Sequence, residues 1–300
     1  MGGRILVGTS SWVDKSLLDC GRFYPADCTS AEARLRHYAS VFPVVQNDAA
    51  WYALPSRHVV EDWVERTPPA FVFDIKLFRL FTGHPTPLNA IPKDLRDAVP
   101  PPSGKGVYFD KVPSEVRDEI LRRYLEAIDP LRAAGKLGIV MVQLAPWVKA
   151  GKTWGEHLKL LRERLRGWPM AVEFRNRSWY ADASRERTFA WMRENEVCHV
   201  VVDEPQVGDR SVPLTPVVTA PTAVLRLHGH NDETWEMAGL ASSSERFNYE
   251  YTDAELTNVV SIAREMARGA VDVHVMVNVN HEDQGVRAGR RILSLVADIS

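Results

Sequence analysis

The stretch 171–179 reads Ala-Val-Glu-Phe-Arg-Asn-Arg-Ser-Trp and places a carboxylate and a guanidinium two residues apart inside an apolar run. Side chains alternate across a strand with a period of two, so Glu173 and Arg175 share one face and Val172 and Phe174 the other. Buried charge is costly unless paired, so Glu173 and Arg175 form an ion pair, a ligand site, or both. The plan recurs along the chain. Short apolar runs end in Ser10 and Trp12, in Gln46 and Asp48, in Lys76 with His84 nearby, in Gln143, in Asp203, in Arg226 with His228, and in Asn278. Tyr52 stands on the loop after the second run. The chemistry on offer is general acid–base catalysis combined with anion clamping. Glu173 or Asp203 accepts a proton, and His228 moves one near neutral pH. Lys76, Arg175 and Arg226 hold phosphate or carboxylate. A divalent metal on Glu173, Asp203 and His228 is a further arrangement, but no motif sets ligand spacing and the neighbouring cations oppose it. No metal ligands are therefore expected, and the residues do not name a cofactor. No Gly-x-Ser-x-Gly is present and no cysteine ends a strand, which argues against a nucleophilic Ser or Cys.

Eight elements must carry these groups. Apolar runs at 4–8, 43–48, 70–76, 137–144, 171–179, 198–203, 223–229 and 271–278 read as strands. Helical spacing occupies 30–42, 57–66, 114–134, 153–167, 185–195, 253–268 and 285–297. Near-continuous Val/Ile/Leu runs suit parallel strands covered on both faces. Strand–helix alternation over eight units predicts a single-domain (β/α)8 barrel. A doubly wound sheet is the competitor, but no Gly-x-Gly-x-x-Gly follows any strand. Long segments at 77–113 (Pro-rich), 205–221 and 229–251 fall after strands, on the side where barrel enzymes build their sites.

Each strand-end group also has a structural reading. Arg226 ties down a loop, His228 is a satisfied core histidine, and Glu173–Arg175 is a buried pair. Eight strands all ending this way is harder to explain structurally, because a core is easier to build without polar groups. Trp12, Trp51, Tyr52, Trp147, Trp179 and Trp235 stack on sugars or bases, or pack the rim. The chain has 300 residues and a net charge of −2, which gives no bulk case for nucleic acid or membrane. Three cysteines without zinc spacing and no signal-like or membrane-length apolar run point to the cytoplasm. Oligomeric state is not legible.

Several motifs in order resemble the DUF72 family (the YecE-like proteins). They are Gly8-Thr9-Ser10-Ser11-Trp12, Phe23-Tyr24-Pro25, Tyr52-x-Leu54-Pro55, Lys76 with Thr82-x-His84, Gln143-x-x-Pro146, Val172-Glu173-Phe174-Arg175 with Ser178-Trp179, Asp203-x-Pro205, Arg226-x-His228-Gly229 and Tyr249-x-Tyr251. The resemblance implies a TIM barrel with a polar pocket at the strand C-termini, and no named activity. Two positions depart from it. A family glutamate is replaced by Gln46, and the Phe-Asn-Asn after strand eight becomes Val277-Asn278-Val279. Gln46 cannot ionise, though it still hydrogen-bonds. The expected function is a hydrolase- or lyase-type acid–base enzyme acting on a small anionic ligand. Nucleic-acid binding or processing is one alternative. A non-catalytic ligand sensor, favoured by Gln46 and Val279, is the other.

Overall fold

In the computed structural model, eight strands form a closed parallel barrel in chain order. The structure describes residues 2–102, 104–208, 211–237, 239–240 and 243–298. Of the three long segments, residues 103, 209, 210, 238, 241 and 242 lie outside the described residues. The strands are β1 (Arg4–Thr9), β2 (Val44–Asn47), β3 (Val72–Lys76), β4 (Leu137–Gln143), β5 (Met170–Glu173), β6 (Cys198–Asp203), β7 (Thr222–Leu227) and β8 (Asp272–Val277). β1 closes the ring on β8, with Thr9 beside Val277. The principal helices are α1 (Ala31–Val41), α2 (Arg57–Glu65), α3 (Ser114–Ala133), α4 (Lys152–Arg164), α5 (Asp182–Glu194), α6 (Asp253–Met266) and α7 (Gln284–Ala297).

The helices form where the apolar spacing puts one stripe against the barrel. Ile120, Tyr124, Ile128 and Leu131 of α3 are buried. A capping box on Thr252 and Glu255 starts α6, and Ser30 caps α1. The Pro-rich segment after β3 is not structureless. Its prolines punctuate four short 3-10 turns between Arg79 and Lys111. The β6–β7 connection carries no helix among its described residues. No helix among the described residues is long and apolar enough to cross a membrane.

The barrel interior holds two polar layers. In the lower one His274 Nδ1 lies 2.9 and 3.0 Å from the two oxygens of Asp74, and both residues are buried. Gly138 makes room for this pair, since a Cβ there would sit 2.2 Å from Asp74 Oδ1. The upper layer opens at the C-terminal ends of the strands.

Candidate active site

Neighbours in a parallel ladder point to the same side of the sheet. Gln143 stands beside Glu173, and Val202 beside Arg226, which in turn neighbours Met276. The inward set therefore includes Gln143, Glu173 and Arg226, and it continues past the strand ends with Arg175, Glu204, His228 and Asn278.

Three hydrogen bonds join four of these groups, and a 3.5 Å contact brings the ends of the set together. Arg226 Nη1 donates to Glu173 Oε2 at 2.5 Å, and Arg226 Nη2 donates to Asn278 Oδ1 at 2.9 Å. A guanidinium has no acceptor, so Asn278 must turn its oxygen to Arg226 and its NH2 to His228 Nδ1, 2.9 Å away. His228 Nδ1 then accepts, and the ring proton sits on Nε2, 3.5 Å from Glu173 Oε1. Burial pushes the His228 pKa down to about 3, and Arg175 and Arg226 push the same way, so the imidazole is neutral. Burial alone would raise Glu173. The charges of Arg226 and Arg175 outweigh it and hold the carboxyl well below its ordinary value.

Arg175 Nη1 reaches Glu173 Oε1 at 3.1 Å, and Arg175 Nη2 lies 3.3 Å from Glu204 Oε2. The guanidinium also sits 5.2 Å from the ring of Trp235, in the 229–251 segment. Burial raises the Glu204 pKa to about 7, although Arg175 and the Val212 amide oppose the rise. On the other side of the mouth, Lys76 Nζ donates to Asp48 Oδ2 at 2.6 Å. Gln46 donates from its Nε2 to the other oxygen of Asp48. Burial lowers the Lys76 pKa even though Asp48 acts to raise it.

These groups border a cavity of about 500 Å³ at the barrel mouth, lined among others by Ser10, Asp48, Trp51, Tyr52, Lys76 and His84. Gln143, Arg175, Arg226, His228, Phe247 and Asn278 also line it, as do the charged Asp14, Lys15 and Glu282 towards its rim. Access separates two sets. The side chains of Glu173 and Arg226 are 0% and 1% exposed, whereas Lys76, Arg175 and Asp48 are 11%, 13% and 31% exposed. The Thr82 hydroxyl donates to the Arg79 carbonyl, so its oxygen accepts from His84 Nδ1 at 2.8 Å. Burial and nearby cations hold His84 neutral, with a pKa near 3.

Four expected site residues do not line this cavity: Glu173, which lies buried beneath it, and Asp203, Trp12 and Gln46. Asp203 is outward-facing because it neighbours Leu227 rather than Arg226. Its carboxylate takes Tyr251 OH at 2.7 Å and His230 Nε2 at 2.9 Å. Its proton-acceptor role at the mouth, and the metal set that used it, are not supported by this placement. Among the described residues no three metal-ligating side chains converge. Trp12 turns into the core, 5.5 Å from Trp63 and 6.3 Å from Phe73. Gln46 is fully buried and reaches the cavity only through Asp48. Sequence reasoning missed Glu204 and Phe247. Strand parity could have found the first, since Glu204 falls two residues after the inward Val202. No pattern marks the second.

The sequence profile of the family described as "Protein of unknown function DUF72" matches residues 6–299. The chain belongs to the DUF72 family. The UPF0759 protein YunF of Bacillus subtilis (strain 168) is 28% identical over 295 residues, covering 97% of this chain and 94% of YunF. A DUF72 protein of Enterococcus faecalis V583 superposes with a TM-score of 0.80 at 25% identity, covering 98% of this chain and 95% of that one. A DUF72 protein of Thermotoga maritima MSB8 gives 0.73 at 24% identity, covering 98% and 99%, and supports the fold. DUF72 membership and the closed barrel agree with the motifs, and neither supplies an activity.

Proposed function

We propose that the mouth of the barrel binds a small molecule through a carboxylate or phosphate and performs acid–base chemistry of hydrolase or lyase type on it. The observation that carries this reading is that two cations held by the barrel, Lys76 and Arg175, are partly exposed on one small cavity, whose rim also carries Lys15, paired to Asp19. Arg175 keeps its buried Nε without a partner. The part of the guanidinium that is exposed on the cavity is a charged donor surface that favours an anion placed against it.

The roles differ from those the residue types alone suggest. Both oxygens of Glu173 are engaged by arginines and it has no exposed surface, so it fixes charge and does not take a substrate proton. His228 is neutral, with Nδ1 occupied, and it positions the linked groups. Asp48 and Lys76 are the accessible proton acceptor and donor. The non-catalytic alternative makes the same contacts without turnover.

Calorimetric titration with inorganic phosphate and with simple carboxylates tests the reading. A charge-assisted hydrogen bond contributes about 1.5–3 kcal/mol, so Arg175→Gln and Lys76→Met each weaken binding by roughly 10- to 150-fold. Equal affinity in wild type and both variants, or no binding of any member of the panel, refutes it. Nucleic acid remains a second reading because Tyr52 and Trp147 stand 60% and 55% exposed beside the mouth. Salt-dependent retention of single-stranded DNA, lost on replacing both aromatics by alanine, would favour that reading.

A further inference from the structure

Lys76 differs from an ordinary anion-binding lysine in three structural respects. It stands at the C-terminal end of β3, so its stem is held by the barrel rather than by a loop. Its side chain is only 11% exposed, yet it borders the cavity. Its ammonium has a carboxylate partner at 2.6 Å, Asp48, which is itself 31% exposed and held from the far side by the Gln46 amide. Gln46 matters here. A glutamate at that place would add a second negative charge beside Lys76 and favour the ammonium. The neutral amide orients Asp48 without adding charge.

From this arrangement we infer that Lys76 is a nucleophile that forms an imine with an aldehyde or ketone whose carboxylate or phosphate is received by Arg175. The inference rests on the anion-binding reading above and names the substrate class for it. The lowered Lys76 pKa, which follows from burial, increases the fraction of free amine near neutral pH.

The step balances within the site. Lys76 passes one ammonium proton to Asp48, and the amine lone pair forms a bond to the carbonyl carbon. The carbonyl π pair moves to oxygen, which takes the proton back from Asp48 and gives a carbinolamine. The C–O bond then breaks and the hydroxyl leaves as water with the second nitrogen proton, relayed by Asp48. Ammonium plus carbonyl has become protonated imine plus water, with no net change in charge and no redox partner. The protonated imine is an electron sink next to the substrate carbon, which suits cleavage or formation of an adjacent bond and selects the lyase branch of the proposed function.

The test uses the full chain with pyruvate and, separately, dihydroxyacetone phosphate, each with and without sodium cyanoborohydride at neutral pH. Peptide mass spectrometry locates any reduced adduct. The expected result is one adduct, on Lys76, formed before surface lysines react and abolished in Lys76→Arg. Asp48→Asn removes the charge that favours the ammonium, so the pH midpoint of the trapping rate moves down. An unmoved midpoint overturns the part given to Asp48. Binding is measured in parallel by thermal shift without the reductant. Binding that depends on Arg175, with no adduct on Lys76 from either probe, overturns the imine and leaves the anion site standing. No thermal shift and no adduct overturns both. Adducts confined to other lysines overturn the imine at this site.

Discussion

Glu173→Gln is the sharpest probe of the barrel floor. Glu173 balances Arg226, which is fully buried, accepts from Arg175 as well, and lies 3.5 Å from His228 Nε2. Glutamine keeps the shape but has one oxygen and one NH2. Whichever way it turns, its NH2 meets Arg226 Nη1 or the Nε2–H of His228, and donor faces donor. Breaking a buried pair by removing one partner costs about 3–5 kcal/mol, because the remaining charge is uncompensated. Arg226→Met costs a similar amount by stranding Glu173 and the Oδ1 of Asn278. The double variant removes both charges together. Its destabilisation should fall short of the summed singles by about 2–3 kcal/mol, the upper part of the range for residues in one network. Urea unfolding followed by circular dichroism and tryptophan fluorescence measures all three. The acid side adds a check of sign. A carboxyl whose folded pKa is depressed stabilises the fold above its ordinary pKa and loses that contribution as pH falls through the depressed value. Wild type therefore loses stability relative to Glu173→Gln only well into acid. Single-variant costs that add to within about 0.5 kcal/mol would falsify the hydrogen-bonded set as a coupled unit.

Three further outcomes follow from other pairs. Burial opposes the charge on His274, but Asp74 outweighs it and the folded pKa is raised. Its stabilising contribution is full below the ordinary histidine value and declines as pH rises through the folded one. Denaturation midpoints between pH 6 and 9 should show this decline in wild type and not in Asp74→Asn, where an unchanged slope would sink it. Gly138→Ala drives a Cβ into Asp74 Oδ1, Val72 and His274. A loss of about 1–3 kcal/mol or more is expected, and a neutral effect in urea unfolding contradicts the packing. Glu204, with a pKa near 7, competes for Arg175 only when ionised. Phosphate affinity should therefore rise as pH falls through about 7, beyond what phosphate's own titration explains. Glu204→Gln should flatten the excess, and calorimetry at several pH values reads it.

The barrel was legible because its cause is periodic. Buried parallel strands need continuous apolar runs, and the helices between them need one apolar stripe. The run 198–203 and the observed β6 coincide, and most other ends differ by one to four residues. The convergence of Lys76, Arg175, Arg226, His228 and Asn278 follows from the same periodicity. The failures lie where periodicity stops. Asp203 and Glu204 are adjacent, so choosing between them needs the register that sets Val202 beside Arg226. Trp12 lies in a turn, where alternation no longer sets direction, and its ring goes to Trp63. The short helices Lys15–Cys20, capped by Asp14, and Ala49–Tyr52, where Asn47 Oδ1 accepts from the Ala50 amide, are too short to show a helical period in the residues.

Charge balance explains why the two neutral histidines and the buried glutamate belong to one design. The floor contains three cations, Lys76, Arg175 and Arg226, and two carboxylates paired to them, Asp48 and Glu173. One positive charge is left over, and Glu204 offsets it only in part near neutral pH. A protonated His228 or His84 would add to that surplus inside a region of low dielectric, and burial together with the neighbouring cations keeps both neutral. The surplus therefore stays on Arg175, the guanidinium with exposed surface, while Glu173 holds Arg226 immobile beneath it. In the proposed function, ligand charge is drawn to Arg175 and Lys76 keeps its own carboxylate, Asp48, for proton transfer. A glutamate at position 46 would cancel the surplus from the Lys76 side. The amide at that position thus preserves the surplus on which the proposed anion site depends.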